Sequence, residues 1–251
     1  MGARAVGQEG SGAVDGLREL GTIYEGVRRR IVGLVDDLDD PASVPVPACP
    51  GWSVHDLISH LAGSCSDVMT GNLDGLASPA WTAAQVDVRR DRSVEDVIAE
   101  WQELGPQIAA MVDDFPEPYG AQAIADLAVH EQDVRDALAR PGMRDSDAVA
   151  IGLDFLATVI VHSAVAERGL GPLEVRAGER TWMLGTDGAE DSDEAPVATV
   201  RAEPFELFRA FSGRRSPAQI ARFEWSVDPE PFLPVFAVAP YFSLRTTDLN
   251  E

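Results

Sequence analysis

Gly51-Trp52-Ser53-Val54-His55-Asp56-Leu57-Ile58-Ser59-His60-Leu61-Ala62-Gly63 is the stretch from which the fold of this chain is read. The segment before it, from Pro41 to Pro50, holds four prolines and reads as an extended connector. Ser53 is a strong helix N-cap, and Asp56 three residues on completes a capping-box-like pair, so a helix begins at Val54. At about 100° per residue, Val54, Leu57, Leu61, Cys65 and Val68 fall in one apolar sector. His60 stands at the edge of that sector with Asp56, Ser64 and Asp67, where it can look along the border of a bundle core. His55 points to the far side and is expected to be exposed.

A second stretch, Asp126-Leu127-Ala128-Val129-His130, has matching chemistry. Asp126 and His130 are four apart and project from one helix face. With Asp133 and Ala137 they form a narrow stripe beside the apolar set Leu127, Val134 and Leu138, the same offset seen for His60. Equivalent polar stripes on two helices are how metal sites are built between facing helices of a bundle. His60, Asp126 and His130 supply three ligands and leave positions open, the count of a catalytic rather than a structural zinc site. Spacing alone leaves the other reading open: histidines satisfied at the core edge, or an Asp–His hydrogen bond. Asp133 and Asp56 are each either an acid that orients a histidine or a plain member of a polar stripe.

Around these stretches the chain is mostly helical. Val14, Leu17, Leu20, Ile23, Tyr24, Val27, Ile31, Leu34 and Leu38 keep a helical ladder over residues 13–39. Residues 74–92 read as a loop holding Trp81. Ser93 caps a further helix with a kink expected at Pro106, Phe115-Pro116-Glu117-Pro118 breaks it, and helices are expected over about 121–140 and 147–167. Beyond residue 169 the pattern changes. Leu173 to Arg176 and Thr181 to Leu184 alternate as strands around a turn, and Val197 to Val200 is another. The acidic run 187–194 is a solvated loop, Pro204 to Phe211 a short helix, Ser216 the cap of another, and the tail from Pro229 irregular. The reading is a mainly α protein. Residues 1–12 form a flexible N-terminal tail, 13–168 an up-down four-helix bundle that binds the metal, and 169–251 a small α+β domain whose wall closes over the open metal face. Trp52 is read as a staple under the helix start, Cys65 and His162 as core, and Cys49 as a thiol near the histidine helix with no partner visible.

Composition narrows the function. Forty-two acidic against twenty basic residues give a net charge of −22, which argues against binding nucleic acid by phosphate neutralisation and against an anionic membrane surface. No run of 18 apolar residues appears and the N-terminus lacks an apolar signal core. Two cysteines make no disulfide framework, which fits a reducing cytoplasm.

Pro47 to Leu61 resembles the "P-G-W-x-V-x-D-L-x-x-H-L" signature of the mycothiol-dependent maleylpyruvate isomerase family, a branch of the DinB-like four-helix metalloproteins. Asp126 to Val134 is similar to the family's second motif, and Pro204 to Arg215, with Leu207, Phe208, Phe211 and Gly213-Arg214, resembles the start of a helical element in its C-terminal domain. The resemblance implies His60, Asp126 and His130 as ligands of a divalent metal, usually zinc. It also implies mycothiol as thiol cosubstrate, a small electrophile as substrate, and Arg214 as the cation for a substrate carboxylate; the alternative for Arg214 is a surface side chain against a helix C-terminus. The best-described isomerases carry Glu where this chain has Asp126. A metal-activated thiol could add to a double bond and leave after rotation, or attack an electrophile once. Two other functions fit the same fold: a non-catalytic metal- or small-ligand-binding protein, and a DinB-like hydrolase that activates water instead of a thiol.

Overall fold

The computed structural model describes residues 19–36, 38–186, 195–237 and 242–251. The expected N-terminal tail, Val14, Leu17 and the acidic run 187–194 lie outside the described residues. Four helices form the bundle: α1 (Leu20–Val35), α2 (Val54–Thr70), α4 (Val94–Met111) and α5 (Tyr119–Ala137). Each of α1 and α2 packs against both α4 and α5, so the order around the bundle is α1, α4, α2, α5. Their apolar faces meet in a core where Ile31, Leu57, Ile58, Trp101 and Ile124 are fully buried. Each such side chain contributes roughly 1.5–3 kcal/mol relative to exposure.

The start of α2 is built as its sequence predicts. Ser53 Oγ accepts from the Asp56 backbone N–H at 3.2 Å, and the Ser53 N–H donates to the Asp56 carboxylate at 2.8 Å. Asp56 is therefore committed to the cap and orients no histidine. His55 differs from expectation: it is buried, with Nε2 2.9 Å from the carbonyl of Arg92, because the turn leading into α4 folds over it.

Residues 74–92, expected as a loop, contain the helix α3 (Pro79–Arg89). Ser78 caps it, with Oγ accepting from Trp81 N–H, and Pro79 takes a first-turn position. Its buried residues are Gln85, Val86 and Arg89, so the face it packs carries almost no hydrophobic period to read. It lies close against α2 at Gly63, where an added Cβ would stand 2.5 Å from Cβ of Gln85.

After α5 come α6 (Asp147–Phe155), a π-helical turn (Leu156–Val161) and α7 (His162–Arg168), which run on as one helix of 22 residues. Among the described residues it is the helix long and apolar enough to cross a membrane, with a window of mean hydropathy 1.9. That apolarity has a use inside the fold, since α6 packs on α5 and on the later helix Pro204–Phe211, and more than half of the window is buried. The sheet that follows has the order β2-β1-β3-β4, from β1 (Leu173–Ala177), β2 (Arg180–Leu184), β3 (Ala198–Arg201) and β4 (Glu224–Trp225). β1 pairs antiparallel to β2 and parallel to β3. The helices α8 (Pro204–Phe211) and α9 (Pro217–Ile220) follow β3. α8 buries Leu207, Phe208, Ala210 and Phe211, so one hydrophobic core continues from the bundle into the C-terminal part. The tail, expected to be irregular, includes a short 3-10 turn (Leu233–Phe236) that buries Val235 and Phe236.

The Gly63 contact yields a test. Gly63→Ala must push α3 outward, a strain of about 1–3 kcal/mol. Thermal unfolding should show a melting temperature lower by roughly 2–4 °C for each kcal/mol lost. An unchanged midpoint would mean that α2 and α3 do not approach this closely.

Candidate metal centre and its cavity

α2 and α5 bring the three predicted ligands together. His60 Nε2 lies 3.6 Å from Asp126 Oδ2 and His130 Nε2 lies 3.6 Å from Asp126 Oδ1, with the imidazole centroids 5.1 Å apart. One ligand atom from each residue falls within 4.8 Å of the others. Ligand atoms around a tetrahedral zinc stand about 3.3 Å apart, so the cluster is close to ion-binding dimensions. Both imidazoles are buried, and Asp126, 41 % exposed, faces the open side.

The far nitrogens of both rings are occupied. Gln85 Nε2 donates to Asp67 Oδ2 at 2.6 Å, and a carboxylate can only accept, so the amide is oriented with Oε1 toward His60. His60 Nδ1–H therefore donates to Gln85 Oε1 at 2.7 Å. His130 Nδ1–H donates to Asp133 Oδ2 at 3.0 Å. Both Nε2 lone pairs are then left facing the Asp126 carboxylate, three acceptors converging with no donor among them. A cation between them resolves that arrangement, and the donor set of two imidazoles and a carboxylate fits a divalent ion. The proton is the rival cation. Burial pulls the His60 pKa down, but the neighbouring Asp126 carboxylate more than compensates and holds it above its ordinary value. Burial likewise opposes ionisation of Asp126, yet the two histidines bring its pKa down to about 2.

Behind His130 sits the Asp133 carboxylate, which has no exposed surface. Besides His130 it accepts from Arg209 Nη2 at 2.8 Å and from Arg214 Nε and Nη2 at 3.2 and 2.7 Å. Burial alone would raise its pKa, but Arg214 and Arg209 hold it well below the carboxylate range. Arg209 also pairs with Glu251 and donates to the carbonyl of Val129 at 3.3 Å. Arg214 is a buried wall residue rather than a surface one, with Phe242 stacked 6.0 Å from its guanidinium. Cys49 Sγ lies 3.4 Å from Asp133 Oδ2 and 3.5 Å from Arg214 Nη2. Burial, reinforced by Asp133, pushes this thiol up to about 12 despite Arg214, so it stays protonated at neutral pH.

The ligands open into a cavity of about 1080 Å³ lined from α2, α3, α4, α5, the α6 end and residues 212–214 and 242–247. Trp52, expected as a staple, is part of its wall, with ring centroids 5.6 Å from His60 and 6.3 Å from His130. Cys65 is core, as expected, and its thiol meets the Tyr24 hydroxyl at 3.1 Å. His162 is half-buried and accepts from the Gly185 N–H at 3.3 Å. Two functional side chains escaped the sequence reading. Gln85 lay in the supposed loop, although Ser78-Pro79 is a helix-start signal. Arg209 is the lone charge on the buried face of α8, and that placement was its signal.

No curated protein matches this sequence at a significant level. Among solved structures, a crystal structure of a mycothiol-dependent maleylpyruvate isomerase is 13 % identical, with a TM-score of 0.55, over 85 % of this chain and 94 % of that one. A histidine-to-alanine mutant of such an isomerase gives a TM-score of 0.58 at 12 % identity over the same shares. At these identities the likeness is one of fold. Residues 24–140, which carry all three ligand residues, match the family model described as the mycothiol maleylpyruvate isomerase N-terminal domain. The helical part of the chain is thus similar to the N-terminal domain of the mycothiol-dependent maleylpyruvate isomerase family, and the likeness of fold extends over 85 % of the chain.

Proposed function

We propose that this protein is a metal-dependent isomerase or thiol transferase that uses mycothiol as cosubstrate and acts on a small electrophile. The observation that carries the reading is the convergence of His60 Nε2, His130 Nε2 and the Asp126 carboxylate at the base of a large cavity. Those three side chains would hold the ion, zinc by family habit. A divalent ion there would supply a Lewis acid that makes a bound thiol ionise at neutral pH. The protein's own residues do the rest. Gln85 and Asp133 keep both Nδ1 atoms protonated and both Nε2 atoms free. Cys49, held protonated, does not compete as a nucleophile, which suits an external thiol. The thiolate sulfur would bond to one alkene carbon while the π pair moves to its neighbour. Rotation and expulsion of the thiolate would then restore the double bond in trans form with the thiol recovered. Arg214, which the family resemblance nominates for a substrate carboxylate, is proposed as a positioning residue acting on His130 through Asp133.

Elemental analysis is the first check. Wild type should carry close to one zinc per chain, and His60→Ala and His130→Ala should each lose it. Metal-loaded protein should turn over cis-activated alkenes only when mycothiol is present. Turnover without thiol would favour a hydrolase, and tight ligand binding without turnover a binding protein.

Metal affinity should also fall as the solution is made more acidic. An unprotonated Nε2 is required, and the raised His60 pKa means that protons compete above the ordinary histidine value of about 6.5. Zinc titrations should therefore show affinity rising from about pH 5 to pH 8; a flat profile would exclude His60 as ligand.

Asp133→Asn tests the orienting role. Loss of such an orienting partner costs about 10–100-fold in metal affinity, and removing one partner of a buried ion pair costs about 3–5 kcal/mol in stability. Both should appear, in metal titration and in denaturant unfolding.

A further inference from the structure

We propose that the cavity selects a neutral, largely apolar electrophile over a dicarboxylate. The chemistry assumed for that electrophile rests on the thiol-transfer reading above; the charge preference rests on the cavity alone. Much of its wall is hydrocarbon and aromatic, with Val68 from α2, Trp81 from α3, Ile108 from α4, Phe115, and Phe155 and Leu156 from the α6 end, beside uncharged polar side chains such as Ser64, Thr82 and Gln122. A carboxylate taken from water needs a cation or a set of donors to replace its hydration. Among the described residues lining the cavity, the permanent cations are Arg214 and Arg245. Arg214 is largely committed: Nε and Nη2 are on Asp133, whose carboxylate neutralises its charge, and Nη1 gives one of its two hydrogens to the Ser212 carbonyl at 2.5 Å. Arg245 lies at the solvent side, with Nη1 on the Pro47 carbonyl at 2.9 Å. The acid at the base, Asp126, turns its carboxylate to the open side and offers an acceptor rather than a donor. A dianion here would lose water without a matching set of free cations, whereas an uncharged ligand gains apolar contact along these walls.

Size points the same way. About 1080 Å³ is at or above the range of pockets that bury drug-sized ligands, so a thiol cosubstrate leaves room for an apolar body well beyond a short diacid.

Maleate and dimethyl maleate share the cis-activated double bond and differ in charge, which makes them the probes. Displacement of the neutral fluorophore N-phenyl-1-naphthylamine would be measured on chelated protein, where neither ion nor thiol takes part. Turnover over the uncatalysed rate would be measured on zinc-loaded protein with mycothiol. The expected result is half-displacement by the diester at a concentration at least tenfold below that for maleate, and a rate enhancement at least tenfold larger for the diester. Trp81→Ala, which removes one wall outside the bundle core, should weaken fluorophore binding about tenfold while leaving the helical content intact. Displacement by maleate at the same or lower concentration, or no saturable fluorophore binding by wild type, overturns the proposal. Should thiol chemistry fail for both alkenes, the function proposed above falls, and the displacement order on chelated protein still decides the charge preference.

Discussion

The Asp133 carboxylate carries one negative charge, has no exposed surface, and is shared by His130, Arg209 and Arg214. A buried charge is tolerated only when paired and hydrogen-bonded, and breaking such a pair costs more than forming it contributes. Here the pairing crosses the chain. His130 and Asp133 come from α5, Arg209 from α8, Arg214 from the turn after it, and Glu251 balances the second arginine. The orientation of one histidine is thereby coupled to the docking of the C-terminal part. α8 cannot leave without stripping the buried Asp133 anion of its arginine partners.

His60 is held by a different device on the other side of the site. Its Nδ1 partner is an amide, fixed in turn by Asp67 on the same helix as His60. α3 delivers that amide, and Gly63 allows α3 to approach. One ligand is thus supported by a charged network rooted in the C-terminal part, the other by a neutral relay rooted in an added helix. Both leave Nε2 bare, which is the condition for holding a cation. The bundle alone supplies ligands, and the elements laid on it decide which nitrogens are available.

The bundle helices and the three side chains that converge between them were legible because their signals are local. A capping box at Ser53 and Asp56, an i, i+4 acid–histidine pair, and apolar sectors beside polar stripes each depend on neighbours a few residues apart. The signature around Trp52 and His60 added the family. α3 was not legible, since a helix that packs through Gln85 and Arg89 shows no hydrophobic period. The burial of His55 was invisible for a related reason: its cover is the Arg92 carbonyl, a backbone atom without a side-chain signature. Arg214 shows the same limit. Its sequence context marked it as important, but whether a guanidinium serves substrate or scaffold depends on an anion 81 residues away.

The shorter acid at position 126 bears on what the family fold can be used for. An Asp reaches one methylene less far than a Glu, yet its two oxygens stand equally distant, at 3.6 Å, from the two imidazole nitrogens. The short arm therefore keeps the carboxylate centred between its partners and does not extend it into the cavity. What remains beyond it is space walled by Trp81, Phe115 and Leu156, with the nearest guanidinium turned away onto Asp133. The scaffold separates two jobs that a small site would have to combine. The polar cluster at the base has the donor set that a cation would need, and the chamber above it is largely shape and hydrocarbon. Changes of substrate can then proceed in the chamber without disturbing the charges that hold the base together.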